Sequence, residues 1–426
     1  MKKLLRYALL LAVAGAWTTA CNSGNDSDGS NEPPASTLSP DQHKAKLENL
    51  GKEFAGYFDP EESRAAIKSL QELLELAPTN EEEPGTGVSP VALSLMKAVR
   101  SNDPALLLGD VTRAAVRYSI AGELGSNGMT YTYDYTAGAW TKTPTDERCL
   151  TVVYGQGDQA SELRTIYAAE KVDYVYTPDN VVVEVPASIG VTLTVGGKTE
   201  LKLDVRPNLS ADGKTIKPEV DFTHALLVCT VRGEANPQFI TATSRIEKNG
   251  TMLVDAYAKV AVSDMTDPDN WVCEDMNWDG STYEYIDPSE HFVEFVKTGE
   301  CRLRVLAAEL VGNGNFRTIL DQISNLDMED ERAQAEAEAA ICNSNMNIYL
   351  VYTDDNTKAA NVVMDVAREE WQDYNGVTYY DYYTEPILVF GDGSKYAFES
   401  YFTQNRFSSL FETIGELADA YAAIVR

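Results

Sequence analysis

Histidine is almost missing from this 426-residue chain, with three in all, and the motifs that would employ it are missing too. His43, His224 and His291 stand far apart. None has the H-E-x-x-H spacing of a zinc helix, and no G-x-S-x-G elbow presents a serine. Each histidine is read as structural, and no catalytic residue, metal centre or cofactor is implied. Positive charge is short as well: 35 Lys and Arg face 66 Asp and Glu, a formal charge of −31. A field of that sign repels phosphate backbones and excludes nucleic acid as a partner. Past the first twenty residues no apolar run approaches the roughly 18 residues of a membrane helix. Cysteine is sparse, six in all, with no Cys-x-x-Cys knuckle and no framework spacing.

What is present begins at the N-terminus. Lys2, Lys3 and Arg6 precede an apolar run over 7–17 (YALLLAVAGAW), too short to span a bilayer and suited to an export signal. Thr18–Thr19–Ala20–Cys21 then has the form of a lipobox, with Thr18 where an aliphatic residue is usual. The expectation is a lipoprotein signal peptide over 1–20, with Cys21 lipidated and holding the mature chain to the membrane through several acyl chains. Losing Lys2, Lys3 and Arg6 takes the charge from −31 to −34. Five cysteines remain for the fold: Cys149, Cys229, Cys273, Cys301 and Cys342. Cys229 inside 226–231 (LLVCTV) and Cys301 alternating with Leu303 and Val305 read as buried free thiols.

Residues 21–39 are polar and acidic, with Asp26, Asp28 and Glu32, and read as a flexible tether. A helical region over 40–122 follows. Ser39–Pro40–Asp41–Gln42 is a capping box leading to Leu47, Leu50, Phe54 and Phe58 on one face. Asp59–Pro60–Glu61–Glu62 leads to Ile67, Leu70, Leu73 and Leu74; Ser89–Pro90 and Asp103–Pro104 open two more helices. From Met129 the period becomes two, and 123–426 reads as antiparallel sheet plus helices. Gly196–Gly197, Asp212–Gly213 and Asn249–Gly250 mark tight turns of a meander. Asp287–Pro288 starts a short helix, 301–310 reads as one strand, and 316–323 and 327–341 as helices. Strands return over 346–352, 359–368, 377–383 and 386–390. The last helix carries a stripe of Phe407, Leu410, Phe411, Ile414, Leu417, Ala418, Tyr421 and Ile424, and is expected to pack on the sheet with Phe411 and Ile414 at its centre. The class is α+β.

The order of these segments resembles an uncharacterised family of Bacteroidetes surface lipoproteins. The resemblance rests on the His43–Leu47 helix segment, Tyr131 to Asp134 with Trp140–Thr141–Lys142, and the stretch 385–396 (EPILVFGDGSKY). It ends on 398–402 (FESYF) before Phe407. It implies a lipid-anchored protein of the outer membrane, displayed at the cell surface, and no assigned activity.

Three features remain as candidate chemistry. Gly155, Gly157 and Ala160 fit G-x-G-x-x-A, but strand-like residues follow where a helix is needed, so a glycine hairpin is expected. Asp275, Asn277, Asp279 and Gly280 match the opening of a calcium loop, yet position twelve is Ile286; a solvated acidic loop is the favoured reading. Tyr379, Tyr380, Tyr382 and Tyr383, near Asp373, Asn375 and Asp381, cannot all face one side of a strand, and form a candidate surface for a glycan or a peptide. The function expected is noncatalytic binding or adhesion at the cell surface. The alternatives are an exported hydrolase using two carboxylates, such as a glycosidase, and a lipid carrier with an apolar cavity.

Overall fold

The computed structural model describes residues 33–76, 128–168, 171–176, 181–210, 215–263, 272–276, 282–286, 295–372, 374, 376–403 and 405–425. It is α+β and dominated by antiparallel sheet. Two compact units divide it: residues up to Phe58 with Glu234–Glu416, and Asp59–Gly233 with Leu417–Arg426. Helix α1 (Pro40–Gly56) falls in the first unit and α2 (Pro60–Leu76) in the second. The expected helices after Ser89 and Asp103, the turn at Asp212–Gly213 and the helix from Asp287 lie outside the described residues.

In the unit built on Asp59–Gly233, strands β1 (Gly128–Asp134), β2 (Ala139–Thr145), β3 (Cys149–Tyr154), β4 (Ser161–Tyr167), β7 (Ile189–Val195), β8 (Lys198–Arg206), β9 (Glu219–His224) and β10 (Leu227–Ala235) lie in the order β2-β1-β3-β4-β7-β8-β9-β10. A separate hairpin, β5 (Lys171–Tyr176) with β6 (Val181–Pro186), interrupts the sequence. Every described pair here is antiparallel except β1 with β3. That exception needs the chain to cross the start of β1, and Gly128 permits it: a Cβ there would overlap the carbonyl oxygens of Glu147 and Cys149. Gly196 and Gly197 both have positive φ, 55° and 79°, as a two-residue hairpin turn requires. The G-x-G-x-x-A segment is a hairpin between β3 and β4, since a Cβ at Gly155 would overlap the Gln159 carbonyl.

Helix α2 buries Ala66 and Leu73 against Val152, Tyr154, Leu163, Val191, Leu193 and Val195. Of the expected stripe Leu73 is buried and Leu70 packs beside it, while Ala66 and Ser69 are buried in place of Ile67, which is half-buried. Ser69 Oγ lies 2.8 Å from the Tyr154 hydroxyl and donates to Ser161 Oγ at 2.9 Å, so the polar atoms in this core are satisfied. A turn at Ala225–Leu226 splits the apolar run expected to bury Cys229. Leu226 is 57% exposed and Val228 also faces solvent.

In the unit of Glu234–Glu416, β11 (Phe239–Lys248), β12 (Thr251–Val262), β15 (Val296–Val305), β16 (Ala308–Gly314), β17 (Met346–Tyr352), β18 (Thr357–Gln372), β19 (Thr378–Phe390) and β20 (Lys395–Ala397) follow in chain order across the sheet, all antiparallel. Strands β13 (Val272–Met276) and β14 (Thr282–Ile286) pair apart from it. The segment 301–310 is not one strand: it turns at Leu306–Ala307 between β15 and β16. The segments 377–383 and 386–390 are one strand, β19. Pro386 is tolerated inside it because Met364, its partner, bonds sideways to Asn343 through both backbone groups, so this rung needs no Pro386 N–H.

Helices α3 (Phe316–Ser324) and α4 (Glu331–Asn345) bury Ile319, Ala339 and Cys342 with Met364. At α1 the capping box is formed, Ser39 N–H donating to Gln42 Oε1 at 2.9 Å. The C-terminal end of the segment read as tether, 21–39, is tied to the sheet. Ala35 bridges Lys358, and Lys358 N–H donates to the Pro34 carbonyl at 2.8 Å, filling the lane that β19 leaves free beyond Phe390.

After α5 (Phe398–Tyr401) comes α6 (Ser408–Val425). Its stripe is only partly covered. Phe407 and Ile424 are buried and Leu410 packs against the cluster of Phe390, Tyr401 and Phe407, but Phe411 and Ile414 are 40% and 46% exposed. A close crossing sets this angle: a Cβ on Gly51 would fall 2.7 Å from both Leu410 methyl carbons, so α6 meets α1 through Leu410. Phe411, one residue on, is rotated out.

Candidate functional site

Strands β18 and β19 pair from Ala360–Phe390 to Gln372–Thr378, well past both of their neighbours. Strand β17 pairs with 357–362 only, and β20 with 387–389 only. The outer half is thus a two-stranded ribbon among the described residues. Alternation gives it two faces. Met364 carries one face onto α3 and α4, and Arg368, Tyr380 and Tyr382 share its parity. The other face carries Asp365, Ala367, Glu369 and Trp371 opposite Glu385, Tyr383, Asp381 and Tyr379.

Of the four tyrosines singled out above, Tyr379 and Tyr380 are exposed and Tyr382 and Tyr383 are half-buried. They divide between the two faces and do not form one platform. Tyr380 lies under the Arg368 guanidinium, 4.6 Å from its ring centroid. Tyr379 stacks on Trp371, ring centroids 4.7 Å apart and planes 18° from parallel. Trp371 is 45% exposed, Tyr379 42%, and Tyr374 at the loop 97%. Trp371 and Tyr374 were not expected here. Asn375–Gly376 is the signal that finds them, because a hairpin centred on 375 sets residue 371 opposite 379. Asp373 and Asn375 lie outside the described residues.

Two carboxylates stand opposite each other on the same face, six residues inward from the rings. Lys395 donates to Asp365 at 2.9 Å and holds its carboxyl below the usual range. Glu385, opposite, is pushed up by burial and then by Glu399 and Asp365. This is the best carboxylate pair for the hydrolase reading, one member raised and one lowered. Lys395 is seated on the ionised partner, Asp365, whose side chain is 45% exposed, so the lowered member of the pair faces water. A serine–histidine contact also occurs elsewhere: His224 Nε2 lies 2.8 Å from Ser63 Oγ, and Nδ1 lies 2.7 Å from the Glu200 carbonyl. It clasps α2 to β8 and β9.

A cavity of about 240 Å³ lies where β18 passes the end of β17, lined by Asn343, Met346, Asn361, Val363 and Pro386 among others. That is below the roughly 300–1,000 Å³ of drug-sized ligand pockets, and its amides give it a mixed lining. Asp275 of the calcium-like segment sits in β13 opposite Tyr283, while Asn277 and Asp279 lie outside the described residues. No cluster of three metal-ligating side chains occurs among the described residues. None of the described helices is long and apolar enough to cross a membrane. Comparison with protein-family models, curated proteins and solved structures finds no match.

Proposed function

We propose that this chain is a lipid-anchored, surface-displayed protein with a noncatalytic binding or adhesion role, and that the β18–β19 ribbon is its binding element. The exposed Trp371–Tyr379 stack carries this reading. Large aromatic rings held rigid by their strands, yet left in water, supply contact area at little entropic cost. The anchoring part rests on the lipobox at Cys21 and on the resemblance to surface lipoproteins. Two experiments test it. Cys21→Ala should move the protein out of the membrane fraction; sedimentation with membranes after a high-salt wash would defeat the anchor. Glycan and peptide arrays probed with residues 21–426 should give binding that Trp371→Ala abolishes, and binding indifferent to Trp371 would defeat the ribbon.

A further inference from the structure

The ribbon face that carries Trp371 and Tyr379 also carries opposed like charges. Glu369 and Asp381 stand directly opposite each other, next inward from the stacked rings on that face. Neither has a hydrogen bond or ion pair among the described residues, in contrast to Asp365 with its Lys395. Like charges directly opposite destabilise an antiparallel pair. Beside two exposed rings, they supply both elements that recognise a cation, a π face and a carboxylate.

Resting on the binding reading above, we propose that the ribbon's occupant is a cationic polypeptide segment. A Lys or Arg side chain lies along the Trp371–Tyr379 stack and places its charge between Glu369 and Asp381. Charge complementarity selects this occupant. A neutral glycan would use the rings and leave the carboxylates opposed, and an anionic polymer meets a chain of −31. The spacing extends the match. Glu385 lies four residues along β19 from Asp381 on the same face, about 13 Å in an extended strand. A second basic residue four positions on in an extended peptide would reach it.

The test uses the mature chain and three probes: a Lys–Ser repeat peptide, a Glu–Ser repeat peptide and a neutral cello-oligosaccharide. The Lys–Ser peptide is expected to bind, more weakly as salt rises, and the Glu–Ser peptide is not. Glu369→Gln with Asp381→Asn should weaken binding at least tenfold, and so should Trp371→Ala. The double variant should melt no lower than the parent, because it relieves a repulsion. Glu412→Gln with Glu416→Gln removes the same charge from exposed sites on α6 and should leave binding unchanged. An equal loss in that control would reduce the effect to long-range charge and overturn the proposal. Oligosaccharide binding that needs Trp371 but not Glu369 or Asp381 would overturn the cationic ligand and keep the binding element. If no probe's binding responds to Trp371, both readings fall.

Discussion

His43 Nδ1 lies 3.0 Å from the Tyr352 hydroxyl, and neither residue exposes any surface. The imidazole stacks on the Tyr352 and Phe390 rings at centroid distances of 5.6 and 5.2 Å, pinning α1 to β17 and β19. Burial lowers its pKa from 6.5, and Lys46 lowers it further; Asp392, Asp355 and the Leu38 backbone pull the other way. A folded value below the unfolded one means that the unfolded chain takes the proton first as pH falls. Stability is therefore lost from about pH 6.5 downward until the folded value is passed. Thermal melts of the parent at pH 7.5 and 5 should differ more than those of His43→Gln. Carboxylates contribute to both proteins and cancel in the comparison. Equal pH sensitivity would mean that His43 is not buried as a neutral ring.

Phe407 and Phe411 are four residues apart on one helical stripe, but Phe407 is 2% exposed and Phe411 40%. Phe407→Ala should cost about 3–5 kcal/mol, as a core phenylalanine does, and Phe411→Ala less than about 1. Urea unfolding of the two variants checks this. Similar losses for both would show that α6 is rotated from the orientation described.

What could be read from the sequence follows where local chemistry decides the outcome. Gly196–Gly197 and Asn249–Gly250 announced their turns because two successive residues of positive φ need such residues. The capping box at Ser39 was equally plain, since its bonds close within four residues. Long-range contacts decided the rest. The α6 stripe is wider than the contact that Gly51 allows, so periodicity alone could not separate Leu410 from Phe411. Trp371 belongs to the candidate site only through its register with Tyr379. The turn at Leu306 carries no Gly, Asn or Asp, and so left no mark.

The thiols give a third prediction. Cys149, Cys229, Cys301 and Cys342 form no disulfide among the described residues. Burial, with Glu338 nearby, pushes the Cys342 thiol up to about 11, and burial raises Cys301 as well. Thiolate is the reactive form, so Cys342 should label at least about 100-fold more slowly in the native chain than in urea at pH 7.5. Peptide mapping after timed alkylation measures this site by site. Rapid native labelling of Cys342 would contradict its place on the buried face of α4.

Two left-handed residues without glycine's freedom, Ala225 at φ 50° and Leu306 at φ 51°, turn the β9–β10 and β15–β16 hairpins. Each holds a conformation that costs an L-residue about 1–2 kcal/mol, which glycine avoids at an entropic cost of about 0.5–1. At Ala225 little else changes, because the side chain is a single exposed methyl group. Ala225→Gly should therefore stabilise by up to about 1 kcal/mol. At Leu306 the same relief competes with a side chain only 9% exposed, whose burial is worth about 1.5–3 kcal/mol. Leu306→Gly should destabilise by about 1–2 kcal/mol, the opposite sign for the same backbone change. Urea midpoints of the two variants decide it. A loss at Ala225 would show that its turn is not left-handed, and a gain at Leu306 would show that its side chain buries nothing of value.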